Sequence, residues 1–139
     1  MANPRAHCLC GRVQLEPTQP PLRAGHCHCA NCRRAQGAGS WTWVTFSGEA
    51  VRIAAGADEL RHYRSDTDAT RGFCGHCGTT ITYESPRWPG HLDISAACFD
   101  QPPTLPDRHL YADRAPAWAP ILDTLPQFGG ASGSEPLSA

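Results

Sequence analysis

Apolar and polar positions along this chain change over in short runs, and the runs predict strands rather than long helices. Residues 41–46, WTWVTF, alternate with a period of two, which predicts a strand. AHCLCGRVQLE, residues 6–16, predicts a hairpin with a tight turn near Gly11. AGHCHC predicts a strand, and ANCRRAQG a short helix ended by Gly37. AVRIA and ELRHYRS predict two further strands with a glycine-containing turn between them. TRGFCGHCGTTITYE reads as a strand, a cysteine turn and a strand, and HLDISAACF as another strand. QPPTLPDRH is an irregular connector, and PAWAPILDTLPQF is expected to hold a helical turn broken by its prolines. From Gly129 the tail, GGASGSEPLSA, is small and polar, so it is expected to be mobile.

A length of 139 residues suits one domain with one core, here placed at residues 6–128 and followed by a flexible tail at 129–139. Thirteen Gly and thirteen Pro fit the short strands and frequent turns. A net charge of −1 offers no basic footprint for nucleic acid. No apolar run approaches the ~20 residues of a membrane span, and MANPRAHCLCG lacks the apolar stretch of a signal peptide. The expected location is therefore cytoplasmic. In that reducing compartment, clustered cysteines bind metal more often than they form disulfides.

The chemistry lies in eight cysteines: Cys8 and Cys10, Cys27, Cys29 and Cys32, Cys74 and Cys77, and Cys98. Neighbouring thiols in C-x-C make strained disulfides. The CGHC stretch does not open a helix in a βαβ unit, as a redox pair would, and Gly78 after it suits a metal knuckle. Zinc fits best, since tetrahedral thiolate sites suit it. Seven clustered thiols fit one four-ligand and one three-ligand site. Spacing leaves open whether Cys8 and Cys10 join Cys74 and Cys77, or Cys27 and Cys29.

The triad is locally self-sufficient. Cys27 and Cys29 converge from one face of a strand, and Cys32 looks back at Cys29 from the first helical turn. The helix start also favours thiolate. His26 and His28 are expected to point away from the metal. Arg33, Arg34 and Arg71 lie beside cysteines, where they either offset thiolate charge or hold an anionic ligand. Trp41, Trp43 and Trp118 are candidates for a pocket wall, with core packing the better expectation for Trp41 and Trp43. His109 is a weaker candidate for a proton shuttle.

Four stretches, CLCGRV (8–13), CHCANCRRAQG (27–37), RGFCGHCGTTI (71–81) and PDRHLYADRAPAW with DTLP (106–126), resemble the glutathione-dependent formaldehyde-activating enzyme family, which includes the centromere protein V group. The resemblance implies a mainly β fold, a zinc-binding β-tent of two antiparallel sheets with a short helix after the triad. It implies a structural zinc on Cys8, Cys10, Cys74 and Cys77. It implies a second, catalytic zinc on Cys27, Cys29 and Cys32, with its last position open to solvent or a thiol. The implied activity is carbon–sulfur lyase, the addition of glutathione to formaldehyde giving S-(hydroxymethyl)glutathione. A small thiol and an aldehyde are then the partners, with Arg33, Arg34 and Arg71 as candidates to pair with glutathione's carboxylates. The alternatives are a lyase for another small thiol or electrophile, and a non-catalytic zinc-stabilised binding module of the centromere protein V kind. Homo-oligomerisation stays open. Cys98 departs from the family pattern and is expected to be a buried free thiol.

Overall fold

The computed structural model describes residues 4–137. The chain builds a three-stranded sheet, a seven-stranded sheet, a two-stranded ribbon and one short helix. Strands β1 (Ala6–His7) and β2 (Gln14–Pro17) form the predicted hairpin, and β5 (Val51–Ala55) pairs with β2. The large sheet takes in β3 (Arg23–Cys27), β4 (Trp41–Ser47), β6 (Leu60–Arg64), β7 (Thr70–Cys74), β8 (Thr80–Glu84), β9 (His91–Ser95) and β10 (His109–Leu110). Their spatial order is β10-β3-β4-β9-β8-β7-β6. Among the described residues no helix is long and apolar enough to cross a membrane.

The expected glycine-containing turn between β5 and β6 carries the chain from one sheet to the other, since β5 pairs with β2 and β6 with β7. Two features depart from expectation. The large sheet is not wholly antiparallel, because β10 returns through the 100–108 connector and pairs parallel with β3. Residues 116–126 hold no helix, only a turn in which Ala119 N–H donates to Pro116 C=O; the prolines at 116, 120 and 126 remove the donors that a helix needs.

β4 explains how the core is divided. Successive side chains point to opposite faces of a sheet. Val44 and Phe46 join the main core with Leu15, Ile81, Ile94 and Phe99, between the two sheets. Trp41 and Trp43 face the other way and pack with Cys27 and Cys32. Both faces are covered, so the burial pattern does not alternate although the side-chain direction does. Gly25 makes this possible, because a Cβ there would meet the Trp43 ring at 2.7 Å.

The tail is a correction. β11 (Phe128–Gly129) pairs with β12 (Glu135–Pro136), Tyr111 N–H donates to Gly133 C=O, and the Arg87 guanidinium donates to Ser132 C=O at 2.9 Å. Polar composition hid this, since the order comes from backbone bonds and glycine contacts rather than apolar burial.

Candidate metal centre

Two cysteine clusters have ligand atoms within 4.8 Å of one another: Cys8, Cys10, Cys74 and Cys77, and separately Cys27, Cys29 and Cys32. The first is built from two similar turns. Gly11 N–H donates to Cys8 C=O, and Gly78 N–H donates to Cys74 C=O. Both glycines have φ +81°, in the left-handed region that a side chain disfavours. Backbone amides then aim at sulfur: Val13 N–H at Cys8 Sγ, 3.3 Å, and Cys77 N–H at Cys74 Sγ, 3.5 Å. Thr79 ties the turns together, its Oγ1 accepting from Leu9 N–H at 3.0 Å.

Four sulfurs about 2.3 Å from one ion would stand ~3.8 Å apart at the corners of a tetrahedron. Cys8 and Cys10 Sγ are 3.6 Å apart, and Cys10 and Cys74 Sγ 3.8 Å. The residues present fit a closed tetrahedral thiolate site. Cys8 and Cys74 are fully buried in the main core, so this site and the core are one structure. Cys98 packs in that same core, nowhere near the triad, and burial pushes its thiol up to about 11.

The triad straddles the end of β3 and the helix α1 (Ala30–Gln36). Cys29 is the helix N-cap, with Sγ accepting from Cys32 N–H at 3.3 Å, and Gly37 closes the helix at φ +66°. Bonds from the Cys27 and Cys32 thiols hold the Cys29 thiol down to about 2, and Cys27 is correspondingly pushed up. Arg71 Nη2 donates to Cys32 Sγ at 3.6 Å, and its positive charge favours the thiolate form of Cys29 and Cys32. No fourth cysteine approaches among the described residues.

The triad opens into a cavity of about 550 Å³. Its floor is one face of the large sheet. Arg23, Thr45, Asp93, Tyr83 and Arg71 are register partners across β3, β4, β9, β8 and β7, and all five line the cavity. Trp41 and Trp43 form the floor nearer the triad, where Trp41 meets Tyr83 edge-on at 5.8 Å. Leu110, Tyr111, Phe128, Ser132 and Ser134 contribute a wall from the C-terminal region.

A family model described as glutathione-dependent formaldehyde-activating enzyme matches residues 3–114. The chain belongs to this family. A crystal structure of a Rhodobacter sphaeroides protein, a structural-genomics target, is similar at 26% identity and TM-score 0.58, over 69% of this chain and 87% of that one. No curated protein matches the chain.

For this family member the structure sorts the expected site residues. It brings together the four-cysteine cluster and the triad, and places Arg71 at the triad. Arg33 and Arg34 do not line the cavity. They occupy the last turn of α1, where Arg33 Nε donates to His28 C=O, so of the three arginines expected at the site only Arg71 faces the cavity. Trp118 is 71% exposed and lies outside the cavity. His26 and His28 point away from the triad as expected. His28 Nε2 shares a hydrogen bond with His109 Nδ1 at 2.7 Å, and His109 Nε2 meets Asp123 at 2.8 Å. This chain lies off the cavity and anchors the C-terminal segment to the triad's own strand, so His109 has no proton-shuttle position. Asp93, Tyr83 and Arg23 escaped sequence reasoning. They come from separate strands, and only the sheet register unites them.

Proposed function

We propose that the chain is a zinc-dependent carbon–sulfur lyase acting on a thiol adduct, in the manner of glutathione and formaldehyde forming S-(hydroxymethyl)glutathione. The carrying observation is the contrast in openness. The four-cysteine cluster fits a closed structural zinc, whereas three thiols face the cavity with no fourth protein ligand among the described residues. Zinc held by Cys27, Cys29 and Cys32 would supply one thing, a position that keeps an incoming thiol ionised at neutral pH beside the aldehyde.

The chain's own residues do the rest. Arg71 offsets the charge gathered on the sulfurs. Trp41 and Trp43 exclude water from the triad side, which strengthens each electrostatic contact there. Arg23, Arg71, Arg87, Arg108 and Arg114 make the lining strongly cationic, suiting an anionic thiol such as glutathione. The cysteine-rich sites also suit a reducing cytoplasm.

The test is exchange between free and thiol-bound formaldehyde, followed by carbon NMR with glutathione and labelled formaldehyde. Zinc-loaded protein should accelerate exchange over buffer, and Cys32→Ser should not. No acceleration by protein carrying metal at both clusters would favour the non-catalytic binding module. Acceleration with another thiol alone would keep the lyase and replace glutathione.

A further inference from the structure

The cavity lining holds five arginines and, among the described residues, one acid, Asp93. Asp93 sits at the middle of the floor row, between Thr45 and Tyr83. Thr45 Oγ1 donates to its Oδ1. Its Oδ2 has no hydrogen-bond partner among the described residues. Arg23, two strands away, offsets its charge only in part and makes no hydrogen bond to it. The Arg23 guanidinium lies over the Trp88 ring at 5.5 Å, with Nη2 3.4 Å from His91 Nδ1. Burial pushes the Asp93 carboxyl up to about 6. A half-buried carboxylate whose second oxygen opens on the cavity is met there by solvent, and that oxygen is available to a cation or donor on a ligand. The neighbouring residues provide one hydroxyl and leave the rest to the cavity.

We propose that Asp93 is a specificity-determining residue that recognises an ammonium group on the thiol ligand, with Arg23 beside it to receive the carboxylate of the same amino-acid head. The proposal rests on the triad being a thiol site. Its reach follows from the sheet. Cys27 pairs with Trp41 and Arg23 pairs with Thr45, four residues further along β4. At about 3.3 Å per residue the two ends of the cavity floor stand ~13 Å apart. Free cysteine, whose amine and sulfur are neighbours, cannot span that. A peptide-like thiol with its amine two or three residue lengths from sulfur can.

Calorimetric titration of the zinc-loaded protein tests this with two ligands, glutathione and glutaryl-cysteinyl-glycine, which lacks only the amine. Glutathione should bind about tenfold tighter, the scale of one charge-assisted contact. Asp93→Asn should bring the two within about twofold of each other by weakening glutathione alone. Equal affinities in the wild type would overturn the proposal, and that comparison needs no variant. An equal loss for both ligands in Asp93→Asn would also overturn it, since that marks a structural role. X-ray absorption separates the parent reading: if neither thiol adds sulfur at the triad metal, the thiol site itself fails. If both add sulfur with equal affinity, only the role of Asp93 fails.

Discussion

The two cysteine clusters use the same side chain for opposite ends. Cys10 and Cys74 are sixty-four positions apart, and their cluster joins two turns from different sheets at the edge of the main core. Cys27, Cys29 and Cys32 lie within six positions, on a strand end and the helix that follows it. The first cluster has four thiols at tetrahedral spacing; the second has three and opens on a cavity. A metal joining distant segments has its binding energy merged with folding. One held by a local loop adds little to the fold and is free to exchange a ligand.

That difference is broken most sharply at Cys74. A structural zinc contributes about 10–16 kcal/mol of binding free energy, as much as a whole domain's stability of ~5–15 kcal/mol. Cys74→Ser should lose metal and yield unfolded or insoluble protein, seen by circular dichroism and metal analysis. A soluble variant with wild-type melting temperature would erase the distinction. Cys32→Ser should keep the fold, lose about one metal equivalent, and lose thiol binding. Global unfolding of this variant would show that the triad, too, is structural.

The cavity wall gives the next smaller effect. Ending the chain at Phe128 removes the ribbon and the Arg87 contact, costing about 2 kcal/mol or roughly 8 °C. Metal content should persist and thiol affinity fall. Unchanged melting and unchanged affinity would detach the tail from the site.

Asp93 sharpens the comparison through pH. Burial pushes its carboxyl up to about 6 from the ordinary 3.8, with Thr45 and Arg23 pulling it partly back; Tyr83 faces it from β8. A raised carboxyl pKa favours the folded state fully below 3.8, and that advantage is lost as pH rises through about 6. Asp93→Asn should therefore stabilise by about 1–2 kcal/mol at pH 7.5, after allowance for solvent in the cavity, and by much less near pH 4. Thermal melts at both values check this, and a gain independent of pH would contradict it. Cys98→Ser is the smallest change, about 1 kcal/mol with metal content intact. Loss of metal would bring Cys98 into the four-cysteine site beside which it packs.

What could be read from sequence was local. The C-x-C and C-x-x-C turns with Gly11 and Gly78, the N-cap Cys29 and the C′ glycine Gly37 each declare themselves within a few residues. The strands were also visible, because short alternating runs carry their own signal. Partnership was not. One turn joins β5 and β6, yet tertiary packing sends them to different sheets. The row from Arg23 to Arg71 needs four pairings between strands, none of which any single segment encodes. Arg33 and Arg34 looked like ligand residues because they adjoin Cys32, yet the helix turns them off the cavity. The tail looked mobile because apolar content was the only gauge, whereas Gly133 and Ser132 order it through main-chain bonds.

Residues 115–137 lie beyond the stretch that the family model matches, yet Phe128, Ser132 and Ser134 line the cavity and Asp123 fastens that segment behind the triad. Every cysteine of the two clusters lies between Cys8 and Cys77, whereas this outer panel of the cavity comes from the far end of the chain. The shape of the chamber can therefore be retuned by substitutions that touch neither cluster.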